Sequence, residues 1–229
     1  MAKVEKHIAI AGGGLVGSLL AVYLIKRGYR IDVFERRPDI RKGIGDEGRS
    51  INLALSDRGL KALEEVGVTD SIKRIAIPMH GRMIHALDET LTFQPYGRNG
   101  QYINSISRSS LTILLMETAE KLGVKFLFNH RIVDVDLSRS SLIIEVEGKR
   151  VSKTYDAIVG ADGAFSAIRH AMQFTDRFDF EQEYIDHGYK ELEIPVSGNG
   201  KHMMEVNALH IWPRESFMLI ALPNPDGSF

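Results

Sequence analysis

Three glycines, Gly12, Gly14 and Gly17, stand between a short apolar run and a longer amphipathic one, and they constrain this chain more than any other feature. The run His7-Ile8-Ala9-Ile10-Ala11 predicts a buried strand. The stretch after the glycines predicts an amphipathic helix with Val16, Leu19, Leu20, Tyr23 and Leu24 on one face, closed by Gly28. Arg30 to Phe34 predicts a second strand, which delivers Glu35. In this strand–turn–helix–strand setting each residue has a physical task. Gly12 permits the tight turn, Gly14 lets backbone approach a pyrophosphate, and Gly17 lets the helix close on the strand. The helix start offers free N–H groups and the positive end of a dipole. Glu35 suits a ribose 2′-hydroxyl and repels a 2′-phosphate. The competing interpretation is an ordinary crossover whose glycines serve packing alone.

A length of 229 residues allows a sizeable core, in one large domain or two small ones. The formal net charge of −1 leaves no electrostatic footprint for nucleic acid or an anionic membrane. Cysteine is absent, which removes disulfides, thiolate metal sites and a cysteine nucleophile from this chain. No apolar run approaches a membrane span, and the first one enters the glycine turn too soon for a signal peptide. The expectation is a soluble, cytoplasmic, mixed α/β protein.

Beyond Glu35 a glycine-rich loop (Gly43, Gly45, Gly48) leads through Arg49 to Ser56. It suits a cover over a cofactor and a mobile surface loop equally well. A helix with Leu60, Leu63 and Val66 inward ends at Gly67. Residues 82–87 and 90–94 flank Asp88-Glu89 as a β-hairpin, an excursion into a second sheet. Ser109 to Gly123 returns to helical period with Leu111, Leu114, Leu115, Thr118 and Leu122 on one face. Arg108 precedes it, placed either to meet a phosphate or as a surface arginine. Val124 to Phe128 predicts a strand, and 132–136 with 142–147 a meander. Ala157-Ile158-Val159 predicts another strand, running into Asp162-Gly163 and a helix over Ser166 to Met172. An acid and a glycine at a parallel strand's carboxyl end sit where open α/β sheets bind ligands, although Asp162 equally suits a helix N-cap. Candidate strands at 189–194, 208–212 and 217–222 follow. The turn signal Pro225 to Phe229 has nothing returning from it, which suggests a fragment. His80, His85, His130, His187 and His210 form no ligand motif and no G-x-S-x-G is present, so no metal site or triad is expected.

Together, Gly12-x-Gly14-x-x-Gly17 with Glu35 and Asp162-Gly163-x-x-Ser166-x-x-Arg169 resemble the two motifs of the FAD-dependent aromatic-ring hydroxylases. Segments such as GRSINLALSDRG, QPYG, YIDHGYKELEIP and LHIWPRESFMLIALPN extend the likeness nearly end to end and narrow it to the branch acting on L-kynurenine. The resemblance implies a Rossmann-like FAD-binding domain over residues 1–75 and 98–175. A mainly antiparallel substrate-domain sheet, incomplete here, is implied over 76–97 and 176–229. It also implies FAD as cofactor and NADPH and O2 as co-substrates. Val16, Glu35, Arg37, Ala54, Arg108, Ile132 and Ala167 match the family's FAD contacts, with Asp162 and Gly163 in the Asp-Gly motif. Arg82 and Tyr96 match the pair that holds the substrate carboxylate. Without the resemblance they would be a salt-bridged sheet residue and a half-buried strand aromatic. No catalytic acid or base is expected, because a flavin carries the chemistry. The family continues past this chain to a Gly-Asp motif that is absent before Phe229. The alternatives are another FAD-dependent aromatic hydroxylase, a nicotinamide dehydrogenase, which leaves Asp162-Gly163 without a role, and a noncatalytic nucleotide-binding module.

Overall fold

The structure, a computed structural model, describes residues 6–43 and 51–229. Its elements begin β1 (His7–Ala11), α1 (Leu15–Ile25), β2 (Arg30–Phe34), β3 (Asn52–Leu55), α2 (Asp57–Glu65), α3 (Thr69–Ile75) and β4 (Ile77–Met79). The hairpin strands β5 (Gly81–His85) and β6 (Leu91–Pro95) follow, then β7 (Ile103–Ser107), α4 (Arg108–Lys121) and β8 (Lys125–Leu127). The rest is β9 (Arg131–Asp136), β10 (Ser141–Val146), β11 (Lys149–Thr154), β12 (Ala157–Gly160), α5 (Ala167–Met172), β13 (Ala208–Arg214) and β14 (Phe217–Ala221). The chain divides into two compact units, Met1–Gly48 with Thr112–Gly188 and Arg49–Leu111 with Tyr189–Phe229.

The first unit is built on a parallel sheet of order β12-β1-β2-β8. Parallel neighbours need a crossover, and α1 supplies the one between β1 and β2. The antiparallel meander β11-β10-β9 packs onto this sheet. Its Val135, Leu142 and Ile144 join Ala9, Ala11, Phe34, Tyr155 and Ile168 in one core cluster. A buried polar contact crosses it, with Tyr155 Oη donating to Asp32 Oδ2 at 3.0 Å. Burial and that carboxylate push the phenol's pKa well above its ordinary range.

The helix faces differ from the periodicity. α1 buries Gly17, Ser18, Ala21 and Val22, while Val16 is 69% exposed. Leu19, Leu20, Tyr23 and Leu24 are only half-buried. α1 is apolar on nearly every side, so hydrophobic period cannot select its inner face. Size does: the smallest side chains allow the closest approach to the sheet. In α4, Leu111 and Leu115 are buried as the period predicts, joined by Thr112, Met116 and Ala119, while Leu114 and Thr118 are half-buried and Leu122 is exposed.

The second unit holds a sheet of order β14-β13-β5-β6, antiparallel except for β13 beside β5. An antiparallel sheet β3-β7-β4 accompanies it. Residues 51–75 and 98–111 thus fall in the same compact unit as the hairpin. The strand expected at 189–194 does not form, and that stretch is largely exposed. Only Ile194 is paired, exchanging two backbone hydrogen bonds with Phe229. The turn signal at 225–229 folds back on itself, with Asp226 Oδ1 accepting from Ser228 N and Ser228 O accepting from Asn224 N. Of the glycine-rich loop, Gly45, Gly48, Arg49 and Ser50 lie outside the described residues.

Two glycines test the crossover. At Gly17 a Cβ would stand 1.9 Å from the Gly12 carbonyl oxygen, with no flexible atom to yield. At Gly28 the backbone has φ +81° but the space is open. Gly17→Ala is expected to destabilise the protein by about 3 kcal/mol, and Gly28→Ala by about 1 kcal/mol. Urea unfolding of both variants measures the difference, and equal losses would contradict this packing.

Candidate functional site

At the carboxyl end of β1 the chain turns through Gly12, whose φ of +98° no other residue adopts easily. Its N–H donates to Phe34 O at 2.8 Å, and a Cβ there would meet Ala161 O at 2.4 Å. The turn therefore runs against the end of β12. Gly14 is the N-cap of α1, with no side-chain cap and no acid in the first turn. A Cβ on Gly14 would meet nothing within 4 Å. The helix start thus offers its N–H groups and positive dipole to an outside anion, with no carboxylate of the helix's own competing.

Glu35 follows β2 and is 5% exposed. Its Oε2 accepts from Gly13 N at 3.0 Å, and its Oε1 from Arg37 N at 3.0 Å and Arg37 Nε at 3.1 Å. A carboxylate oxygen accepts two hydrogen bonds, so Oε2 keeps capacity for a hydroxyl. The Gly13 contact has no signal in the sequence, because the spacing of the glycines points past it.

Asp162 lies just beyond β12. Its Oδ2 accepts from Ala167 N at 2.7 Å, while Ser166 Oγ accepts from Arg169 N at 2.9 Å. One oxygen of Asp162 therefore does cap α5. The other, Oδ1, is buried without a hydrogen-bond partner. Leaving it so is costly, and a ligand hydroxyl or N–H would complete it. The Asp162 Cα is 2.9 Å from where a Gly12 Cβ would stand, so the orphaned acid adjoins the glycine turn. Gly163 has φ +80° and is exposed. Arg169 donates to the Gly163 and Ala164 carbonyls and lies 4.9 Å over the Phe180 ring. An open helix start, an acid beside Gly13 and an orphaned carboxylate oxygen at the turn fit a nucleotide carrying a diphosphate. Of the other expected contacts in this unit, Val16 is exposed on the first turn of α1, Arg37 is exposed, and Ile132 packs half-buried against the core cluster.

In the second unit Arg82 (β5) and Tyr96 meet directly, the guanidinium lying 5.1 Å over the ring. Tyr96 Oη is buried and has no hydrogen-bond partner. Burial pushes this phenol up, opposed by the Arg82 charge. An exposed guanidinium beside an unsatisfied hydroxyl suits a carboxylate. Ala54 is exposed on β3, opposite Ser105 of β7. Arg108 opens α4, its N–H donating to Ile51 O at 3.3 Å.

The histidines make no metal cluster among the described residues. Two of them pair: His85 Nε2 lies 2.8 Å from His210 Nδ1, and His210 Nε2 lies 2.8 Å from Glu205 O. The carbonyl can only accept, so His210 carries its proton on Nε2 and accepts from His85. Trp212 stacks on His85 at 4.0 Å. This pairing has no local sequence signature, since 125 residues separate its members.

No helix among the described residues is long and apolar enough to cross a membrane. The family described as "FAD binding domain" matches residues 5–223. The chain is 52% identical over 224 residues to the Kynurenine 3-monooxygenase of Flavobacterium johnsoniae, covering 97% of this chain and 50% of that protein. To the Kynurenine 3-monooxygenase of Dictyostelium discoideum it is 48% identical, covering 98% and 48%. It spans about half the length of the curated relatives it matches. A solved variant of 2-methyl-3-hydroxypyridine-5-carboxylic acid oxygenase shares the fold with a TM-score of 0.73 at 21% identity, over 91% of this chain and 52% of that one.

Burial holds both His85 and His210 below the ordinary histidine range, with a second push on His85 from His210. A depressed histidine takes up its proton more readily unfolded than folded. The pair's contribution is therefore complete above about pH 6.5 and is lost as pH falls towards the lower folded values. Thermal melts between about pH 7.5 and 5.5 should show a falling Tm, with a shallower slope in His85→Gln, whose amide keeps a donor for His210. An unchanged slope in that variant would contradict the assignment.

Proposed function

Because the chain belongs to the FAD binding domain family, we propose that it is part of a flavin-dependent monooxygenase that hydroxylates L-kynurenine at ring carbon 3, using NADPH and O2. The observation that carries this is identity near 50% to proteins named Kynurenine 3-monooxygenase along 97–98% of the chain. The geometry supports it in both units. The α1 start with Gly12, Gly14 and Gly17 would receive the FAD diphosphate, and Glu35 with Arg37 the adenosine ribose. Asp162 Oδ1 would accept from the cofactor beside Gly163. Val16, Ala54, Arg108, Ile132 and Ala167 are proposed as further FAD contacts. On this proposal 1–75 and 98–175 serve the cofactor, and 76–97 and 176–229 the substrate. Bound FAD would supply the redox chemistry, taking a hydride from NADPH and activating O2.

The chain's own residues would bind and orient. Arg82 offers a planar two-pronged donor and Tyr96 a hydroxyl donor, a pair that grips a carboxylate and fixes the direction of the ring beyond it. Neither residue needs to exchange a proton with the reacting carbon. The aniline nitrogen of kynurenine donates into its ring and enriches the adjacent carbon. A cytoplasmic location accords with the lack of cysteine.

Two measurements on the full-length protein test the proposal. It should retain flavin absorption bands after FAD addition and removal of the unbound FAD, and its NADPH oxidation should rise with L-kynurenine more than with anthranilate or hydroxybenzoates. Absence of flavin bands, or equal stimulation by all three, would remove it. Arg82→Ala should raise KM for kynurenine roughly ten- to a hundredfold with flavin content unchanged. An unaltered KM would refute the carboxylate role.

A further inference from the structure

Arg41 is an interaction centre that the glycine and Asp-Gly motifs leave unexplained. It sits in a short 3-10 turn, Ile40–Lys42, capped by Asp39. Its Nε donates to Asp39 Oδ1 at 2.8 Å and its Nη2 to Asp39 Oδ2 at 2.8 Å. The same guanidinium reaches Glu120, through Nη1 to Oε2 at 2.5 Å and Nη2 to Oε1 at 3.1 Å. It also lies 5.6 Å from the centre of the Phe128 ring. The side chain is 23% exposed, so this is a partly buried clamp rather than a solvated surface pair.

Glu120 is the penultimate residue of α4, where the helix dipole disfavours an anion. Pairing with Arg41 offsets that cost. Only a planar fork can engage two carboxylates bidentately at once; a lysine ammonium cannot.

The clamp holds one end of a segment that carries two candidate cofactor contacts. At the other end the segment is tied by backbone bonds from Glu35 N to Leu127 O, His130 N to Glu35 O and Asn129 N to Arg37 O. These ties fall on Glu35 and Arg37 themselves, whose side chains meet as carboxylate and donors, and the clamp fixes the chain just beyond them. We propose that Arg41, with Glu120 as its anchor, is a positioning residue for the adenosine half of the dinucleotide, acting through Arg37 on the Glu35 carboxylate without touching the ligand. This rests on the FAD assignment above.

The test is a double-mutant cycle on FAD affinity, read by quenching of flavin fluorescence when FAD is added to the full-length apoprotein. Circular-dichroism melts follow the fold of each variant. Arg41→Lys, and separately Glu120→Gln, should raise the FAD Kd about tenfold with Glu35 present. In the Glu35→Gln background each should change Kd less than about twofold, because the carboxylate through which they act is gone. Equal shifts in both backgrounds, or no shift with Glu35 present, would overturn the positioning role while leaving the FAD assignment intact. An unchanged Kd in Glu35→Gln alone would overturn the ribose assignment and this proposal with it. Use of two anchors guards against one variant failing to fold.

Discussion

The first unit depends on one close approach, that of α1 to the turn it leaves. Gly17 packs against the Gly12 carbonyl at a distance that excludes any side chain, and Gly12 packs against the end of β12. These two contacts aim the amino end of α1 at the carboxyl ends of the parallel strands. They also bring Gly13 to Glu35 and the Asp162 turn to Gly12. The sheet supplies the rigid platform, and close packing of small residues decides where the helix dipole is directed.

Electrostatics then divides the labour between two acids. Glu35 is held by one backbone N–H from the turn and by Arg37. Asp162 spends one oxygen on capping α5 and keeps the other buried and unpaired. A chain optimised for stability alone would satisfy that oxygen. Asp32 Oδ1 and Asn52 Oδ1 are also buried without a partner, so what distinguishes Asp162 is its place against the glycine turn; in the second unit the buried hydroxyl of Tyr96 beside Arg82 shows a similar deficit with the opposite polarity of need.

Local pattern made much of this legible. The crossover β1–α1–β2, the 131–146 meander, the β5–β6 hairpin and the β12–Asp162 turn all announce themselves through period, glycine and acid. Three kinds of feature did not. The inner face of α1 does not follow the hydrophobic period, because that helix is apolar on nearly every side and close packing favours Ala21 over the larger leucines; in α4 the period finds Leu111 and Leu115 but not Met116 or Ala119. The strand expected at 189–194 has suitable composition but no partner strand, and strand formation is a property of pairs. Contacts between distant residues, Arg41 with Glu120 and His85 with His210, leave no trace in any short window.

The central claim is that an adenine dinucleotide lies along the β1–α1–β2 crossover. A crystal structure of the full-length protein with FAD tests it most directly. The account predicts diphosphate oxygens within hydrogen-bond distance of the backbone N–H groups at the start of α1, a ribose hydroxyl on Glu35, and a cofactor donor on Asp162 Oδ1. FAD bound elsewhere, with the α1 start facing solvent and Asp162 Oδ1 still unpaired, would contradict it.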